Sequence, residues 1–365
     1  MTPTNILWFD TETFSEVPIK HGGHKYVRAC ECMVVTYAFD NGPVQVWDRT
    51  ADPEWPSDNL YTALLDPEIE IRAHNVPFDR GVLHWALGVA LPAERFYDTS
   101  IQARAHALPG GLGIIGEILG IGEDIAKIKD GKQLINLFCK PRPKNSELRR
   151  ATRETHPEEW ARFLEYAAQD IVAMREISKR MPTWNYARTG AERELWLLDQ
   201  KINDRGVLVD VELAHAAIDA VAREQARLRA DVQEATNGEV ESATKRDQLL
   251  QYMLSEYGVS LPDMQKSTLE RRLEDPDIPQ PVKDLIAIRL EASGTAVAKY
   301  KAIINAVNED DRIRGTLQFD GAGRTLRWAG RILQPQNLCR PTMPKDEIER
   351  GIDAIKAGCA DLIYG

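Results

Sequence analysis

Short apolar runs without helical spacing mark the first half of the chain: residues 6–9, 33–39, 44–47 and 70–74. Runs of that length read as buried strands. Between and after them, helical spacing appears around residues 78–87, 112–119 and 160–177, so residues 1–182 read as an α/β domain ending near Met181-Pro182-Thr183. From Ala191 the pattern turns helical. Residues 192–203 carry an apolar stripe at Leu195, Trp196, Leu198 and Ile202, with Gly206 placed to close the helix. A short strand at 208–211 and helices at 213–235, 245–256, 267–273 and 282–292 are predicted next, without a sustained heptad. The tail, 352–364, reads as one helix whose apolar face (Ile352, Ile355, Leu362, Ile363) asks for a partner.

The first strand ends in Asp10-Thr11-Glu12-Thr13. Residues two apart on a strand point to one side, so Asp10 and Glu12 project together. Two carboxylates held that close repel unless a positive charge lies between them. A hard oxygen donor set favours Mg²⁺ or Mn²⁺ over Zn²⁺. A second segment, Asn75-Val76-Pro77-Phe78-Asp79, leaves a strand and starts a helix. Asn75 is the predicted N-cap, Pro77 fits the first turn, and Asp79 lies near the positive helix end, which favours a charged carboxylate. A third segment, Tyr166-Ala167-Ala168-Gln169-Asp170, puts Tyr166 and Asp170 on one helix face. Its two alanines leave room for close approach to a sheet.

In this order, the D-x-E, N-x-x-x-D and Y-x-x-x-D segments resemble the DEDD exonuclease superfamily in its tyrosine form. They are more closely similar to the proofreading domain of phage-type family A DNA polymerases. The other branch carries a histidine five residues before the last aspartate, where this chain has Glu165. The resemblance implies a ribonuclease H-like fold and hydrolysis at DNA 3′ ends with two Mg²⁺ or Mn²⁺ ions per site, roughly 3.5–4 Å apart. Asp10, Glu12 and Asp170 would hold the metal on the nucleophile side. Asp10 would also reach the second metal, with Asp79 helping through water. Tyr166 would orient the attacking water. Thr13, Asn75 and Phe78 are the candidates to hold the terminal nucleotide, and the product would be a 5′-monophosphate.

The 365 residues leave room for two or three domains. No apolar stretch reaches membrane-spanning length, no membrane partner is expected, and residues 1–10 lack a signal-peptide pattern. Cys30, Cys32, Cys139, Cys339 and Cys359 are odd in number and scattered, so reduced thiols in a cytoplasmic compartment are expected, which the resemblance places in a bacterial or phage-infected cell. A net charge of −10 is unusual for a DNA-binding chain, which moves attention to local basic groups. One is the loop Lys140 to Lys144 with Arg149, Arg150 and Arg153. The other is Arg324, Arg327 and Arg331. Either set can neutralise phosphates.

The later part of the chain carries its own resemblance. Arg193-Glu194-Leu195 through Asp204 to Asp210 is similar to the entry of the family A polymerase thumb, and Arg289 to Ser293 through Ala298-Lys299-Tyr300 to its last helix. Phe319 to Arg331 and Gln334 to Leu338 resemble the segment where thumb enters palm. That implies a mainly helical thumb-like domain at 183–310 and the beginning of a palm at 311–365. Lys299, Arg324, Arg327, Arg331, Gln336 and Asn337 would contact primer–template duplex. Leu326 stands where the family usually has glycine. The D-Y-S-x-x-E-like and H-D-E-like palm motifs and the Lys-bearing fingers helix are not found in this sequence, so the chain by itself is not expected to synthesise DNA. Three readings follow: the proofreading half of a polymerase completed by a second polypeptide carrying palm and fingers, a stand-alone 3′→5′ exonuclease with a thumb that grips duplex, or an inactive DNA-binding remnant or accessory subunit; the expected nuclease activity prefers single-stranded or frayed 3′ ends.

Overall fold

A computed structural model of the chain describes residues 6–56, 59–121, 131–292, 297–338 and 340–364. The residues divide into two compact units, each built from two stretches of sequence. One unit takes the chain up to Leu208 together with Ala306–Leu338, and the other takes Val209–Asn305 together with the segment after Leu338.

The first unit is built on β1 (Ile6–Phe14), α1 (Gly23–Arg28), β2 (Glu31–Phe39), β3 (Gln45–Asp48), α2 (Leu60–Leu65), β4 (Glu70–Ala73), α3 (Val76–Trp85), β5 (Phe96–Asp98), α4 (Thr99–Ala105), α5 (Leu112–Ile118), α6 (Gly131–Phe138), α7 (Pro157–Arg180), α8 (Ala191–Arg205) and β6 (Val207–Leu208). Five strands form one mixed sheet in the order β3-β2-β1-β4-β5. β1 runs antiparallel to β2 and parallel to β4. Sheet and helix together make the expected mixed α/β architecture. The four predicted strands are present; β5 and the short helices α1, α2, α4 and α6 carried too few periodic positions to be read from the sequence.

Helices cover both faces of the sheet, and the strand alternation sorts the side chains. Leu7 and Phe9 join the core formed with Val27 of α1 and Val82 and Leu83 of α3. Trp8 points the other way and packs with Ile171 and Met174 of α7. On that side the Thr36 hydroxyl of β2 donates to the carbonyl of Ala167, 3.2 Å away. The alanines of α7 allow that approach, as expected from the third motif.

The start of α3 differs from the sequence expectation. Asn75 occupies the N-cap position, but with φ 78° its side chain accepts no capping bond. The cap comes through space from Asp98, at the end of β5. Its Oδ1 accepts from the Asn75 N–H (3.1 Å) and its Oδ2 from the Val76 N–H (2.9 Å). Oδ1 also accepts from the N–H groups of Ser100 (2.8 Å) and Ile101 (3.4 Å) at the start of α4. One buried carboxylate thus satisfies orphan donors of two helices. The local Asp98-Thr99-Ser100 run signals a cap for α4 alone.

The second unit contains α9 (Val211–Ala235), α10 (Arg246–Tyr257), α11 (Lys266–Leu273), α12 (Gln280–Ala292) and α13 (Val297–Ala306). Val232, Leu249, Met253, Val282 and Ile286 fill its core. Ser293, within the expected last helix, and Cys339 lie outside the described residues. The strand expected over 208–211 stops at Leu208, because the Asp210 carboxylate accepts from the Leu213 N–H (2.8 Å) and starts α9. β7 (Arg312–Ile313), β8 (Leu317–Ala322) and β9 (Arg327–Gly330) belong to the first unit. The tail forms two helices rather than one: α14 (Lys345–Lys356), which packs on α9, and α15 (Ala360–Tyr364). Gly358, at φ 71°, makes the break. Leu362 and Ile363 are exposed. No helix among the described residues is long and apolar enough to cross a membrane.

Two expected outcomes follow from these bonds. Asp98→Ala leaves the first turns of α3 and α4 without their acceptor, and at about 1–2 kcal/mol per cap the loss is about 2–4 kcal/mol of unfolding free energy, measured by denaturant titration. The second concerns Asp199 of α8, which accepts from Trp328 Nε1 (2.7 Å), Asn203 Nδ2 (3.1 Å) and Gln200 Nε2 (3.1 Å). Burial still pushes its carboxyl up to about 6. The folded state therefore holds this proton more tightly than the unfolded chain. Stability from this group is present below the unfolded value of 3.8 and is lost as pH rises through about 6. Asp199→Asn should flatten the stability change between about pH 4 and 7 relative to wild type; an unchanged slope would contradict the assignment.

Candidate functional site

β1 emerges from the core at Asp10, where the buried run of Leu7, Trp8 and Phe9 ends. From there alternation sends Asp10 and Glu12 toward α7, and Thr11 and Thr13 toward α1 and α3. α7 brings Asp170 to the first pair. One ligand oxygen from each of Asp10, Glu12 and Asp170 lies within 4.8 Å of the others. Asp170 is buried and the other two are half-buried. Three hard oxygen donors at this spacing on three rigid positions fit a divalent cation, and the repulsion among them is what such an ion relieves.

Tyr166 sits one turn before Asp170 on α7, and its hydroxyl is hydrogen-bonded to the Asp170 side chain. The ring is buried among Met33, Phe138, Trp160 and Phe163. Burial raises its phenol far above the ordinary value, and the charges of Asp170, Glu12 and Asp10 add to the rise. The residue is both a core aromatic and a neutral hydroxyl facing the carboxylates.

Asp79 is not of the three-carboxylate group. It lies on the α3 side of the sheet, where its Oδ1 accepts from the Thr11 hydroxyl at 2.7 Å. It is in the first turn of α3, as expected, but only 2% exposed. Burial pushes its carboxyl up to about 7, the Thr11 bond opposes the rise, and the charge of Asp98 adds to it. Desolvation therefore outweighs the helix end that was expected to favour the charged form.

Of the nucleotide-holding candidates, Thr13 and Phe78 line one hollow of about 510 Å³ that also touches Glu12, Tyr26, Ile135, Cys139 and Lys140. The Thr13 hydroxyl lies 3.0 Å from that of Tyr26. Asn75 lines a different hollow of about 280 Å³, and Phe78 borders both. Cys139, expected only as one of the scattered thiols, lies at the site: its thiol donates toward Glu12 Oε2 at 3.7 Å. No spacing rule marks it, because it reaches the site only through the placement of α6. The described cysteines, Cys30, Cys32, Cys139 and Cys359, are free thiols.

The two basic groups fare differently. In the loop, Arg150 pairs with Glu31 (2.6 Å), Arg153 pairs with Glu154 (2.7 Å), and Arg149 donates to the Arg142 carbonyl (2.8 Å). Much of that charge is answered within the chain. Arg324 and Arg327 are exposed at the β8–β9 hairpin. Arg331 follows it and donates to the Gln318 side chain. Gln336 lays its amide over Gly330, where a side chain would collide, and Asn337 donates to Gln334 Oε1 at 3.1 Å. Lys299 lies in α13, within the second unit. Leu326 takes φ 51°, a left-handed conformation that favours glycine. The hairpin thus carries backbone strain at Leu326.

No family model matches the chain. The DNA polymerase of Bacillus phage SP02 is 33% identical over 368 residues, taking in 98% of this chain and 55% of that protein. Among solved structures, the POL domain of Pol1 from M. smegmatis, in complex with DNA primer-template and dNTP, matches with a TM-score of 0.53 at 14% identity, over 92% of this chain and 53% of its own, a likeness of fold. Brucella melitensis NrnC covers 48% of this chain and 70% of its own at a TM-score of 0.30 and 20% identity. The similarity extends over almost the whole sequence: the chain is related to a phage DNA polymerase, and spans about half the length of that relative.

Proposed function

We propose that this chain is the 3′→5′ exonuclease portion of a phage-type family A DNA polymerase, acting as a proofreader in DNA replication. In this reading residues 1–182 are a ribonuclease H-like exonuclease domain, residues 183–310 a thumb-like domain and residues 311–365 the start of a palm. The observation that carries it is the convergence of Asp10, Glu12 and Asp170 from β1 and α7, with the Tyr166 hydroxyl on one of them.

Asp10, Glu12 and Asp170 would hold Mg²⁺ or Mn²⁺, with Asp79 acting through water after giving up its proton. Two such ions supply neutralisation of the phosphate charge and a water of lowered pKa. The Tyr166 hydroxyl is fixed by its buried ring and by Asp170, so it can orient an attacking water with little loss of freedom. Thr13 and Phe78, lining the hollow beside Glu12, would seat the terminal nucleotide, and Lys140 at its rim suits an anionic strand. Asn75 would act from the neighbouring hollow that shares Phe78. Arg324, Arg327, Arg331, Gln336 and Asn337, with Lys299, would bind the primer–template backbone. In this reading palm and fingers would come from a second polypeptide.

Incubation with labelled single-stranded oligonucleotide and Mg²⁺ or Mn²⁺ should release 5′-mononucleotides from the 3′ end, and chelation should stop it. Asp10→Ala plus Glu12→Ala should lower the rate by more than about 1000-fold, the loss of several kcal/mol of charge stabilisation. Tyr166→Phe should slow the reaction about 10- to 100-fold while metal binding, followed by calorimetry, is kept. Nuclease activity surviving the double alanine change would sink the assignment. A separate expectation is that this polypeptide alone extends no primer; nucleotide incorporation by the purified chain would refute it.

A further inference from the structure

The site's tyrosine is held by a residue that has no side chain. Gly131 opens α6, is buried, and lies against the Tyr166 ring. A Cβ built on Gly131 would lie 2.7 Å from Tyr166 Cδ2, closer still to Cε2, and 3.2 Å from Cζ, the carbon that bears the hydroxyl. Ordinary contact needs about 3.5–4.0 Å between carbons. The ring has nowhere to retreat: it is 2% exposed and stacks on Phe163, with ring centroids 6.3 Å apart and planes 10° apart. Buried rings sit in close-packed surroundings, so a methyl group here displaces either the phenol or α6. The other end of the same helix runs directly into Cys139, whose thiol contacts Glu12. α6 thus touches the site at both ends, once through an absent side chain and once through a thiol.

We propose that Gly131 is a positioning residue for Tyr166: the space left by its missing Cβ fixes the phenol ring, and through it the place of the hydroxyl beside Asp170. The proposal rests on the exonuclease reading for its kinetic consequence and on geometry alone for its structural one. Misplacement of a catalytic group by about 1 Å can cost about 100-fold in rate. Gly131→Ala should therefore lower kcat by about 10- to 100-fold and change KM less than about twofold. In a Tyr166→Phe background, where the hydroxyl is already gone, the same change should cost less than about threefold more. Equal losses in both backgrounds would overturn the proposal, as would a wild-type rate in Gly131→Ala.

A second measurement does not depend on activity. In fluorotyrosine-labelled protein, the resonance missing from Tyr166→Phe identifies Tyr166. Gly131→Ala should shift it more than any other tyrosine signal, and an unmoved resonance would overturn the proposal. If wild type releases no nucleotides, the exonuclease reading fails while this resonance still decides the positioning. Should Gly131→Ala not fold, the smaller side chain in Gly131→Ala with Tyr166→Leu should restore folding, because the ring is what the methyl meets. A double variant as unstable as Gly131→Ala, where Tyr166→Leu alone folds, would count against it.

Discussion

The two-residue repeat of β1 is the constraint on which the site depends. Leu7, Phe9, Thr11 and Thr13 face α1 and α3, while Trp8, Asp10 and Glu12 face α7. A slip of one residue would exchange the faces, burying Asp10 and Glu12 under α3 and turning the threonines to Asp170. The register is fixed at several points: β1 pairs Asp10 with Thr36 and Glu12 with Val34 on β2, and Leu7 with Ile71 on β4. Hydrophobic sorting upstream thus decides where the carboxylates point, and the chemistry inherits an alignment fixed by Leu7, Trp8 and Phe9.

Much of this was legible. Alternation puts Asp10 and Glu12 together from sequence alone, and helical spacing does the same for Tyr166 and Asp170. Both are local relations, and local periodicity is what a sequence displays. What it hid are relations through space. Asn75 looks like a cap because of its type and place, yet the acceptor comes from Asp98, 23 residues on. Asp79 looks like a carboxylate at a positive helix end, yet burial and Thr11 set its environment. Gly131 and Cys139 reach the site only because α6 lies beside α7 and β1. The tail read as one helix because its apolar positions continue past Gly358, while backbone conformation stops it there.

The charge balance has a related explanation. The net charge is −10, and many of the individual charges are paired within the chain. Arg227 pairs with Glu224, Asp231 and Glu291, Arg314 with Asp310, and Arg80 with Asp204. The exposed pairs of Arg227 contribute little to stability, about 0–1 kcal/mol each. Arg324, in the β8–β9 turn, and Arg327, at the start of β9, stay exposed on either side of the unfavourable backbone at Leu326.

Buried acids make the candidate site costly without a cation. Asp79 is driven up to about 7, and Asp10, Glu12 and Asp170 crowd together. Each effect penalises negative charge in a partly dry place. A hydrophobic replacement at any of these positions would relieve the penalty, yet the fold keeps them and braces them. Thr11 holds Asp79, Thr36 ties β2 to α7, and the glycine at the start of α6 leaves the tyrosine ring its space. A set of acids preorganised against its own repulsion gives up little further freedom when positive charge arrives, so binding relieves the strain instead of adding to it. The same preorganisation explains why the bracing comes from threonines and a glycine: uncharged neighbours fix geometry without neutralising the field that would attract the cation.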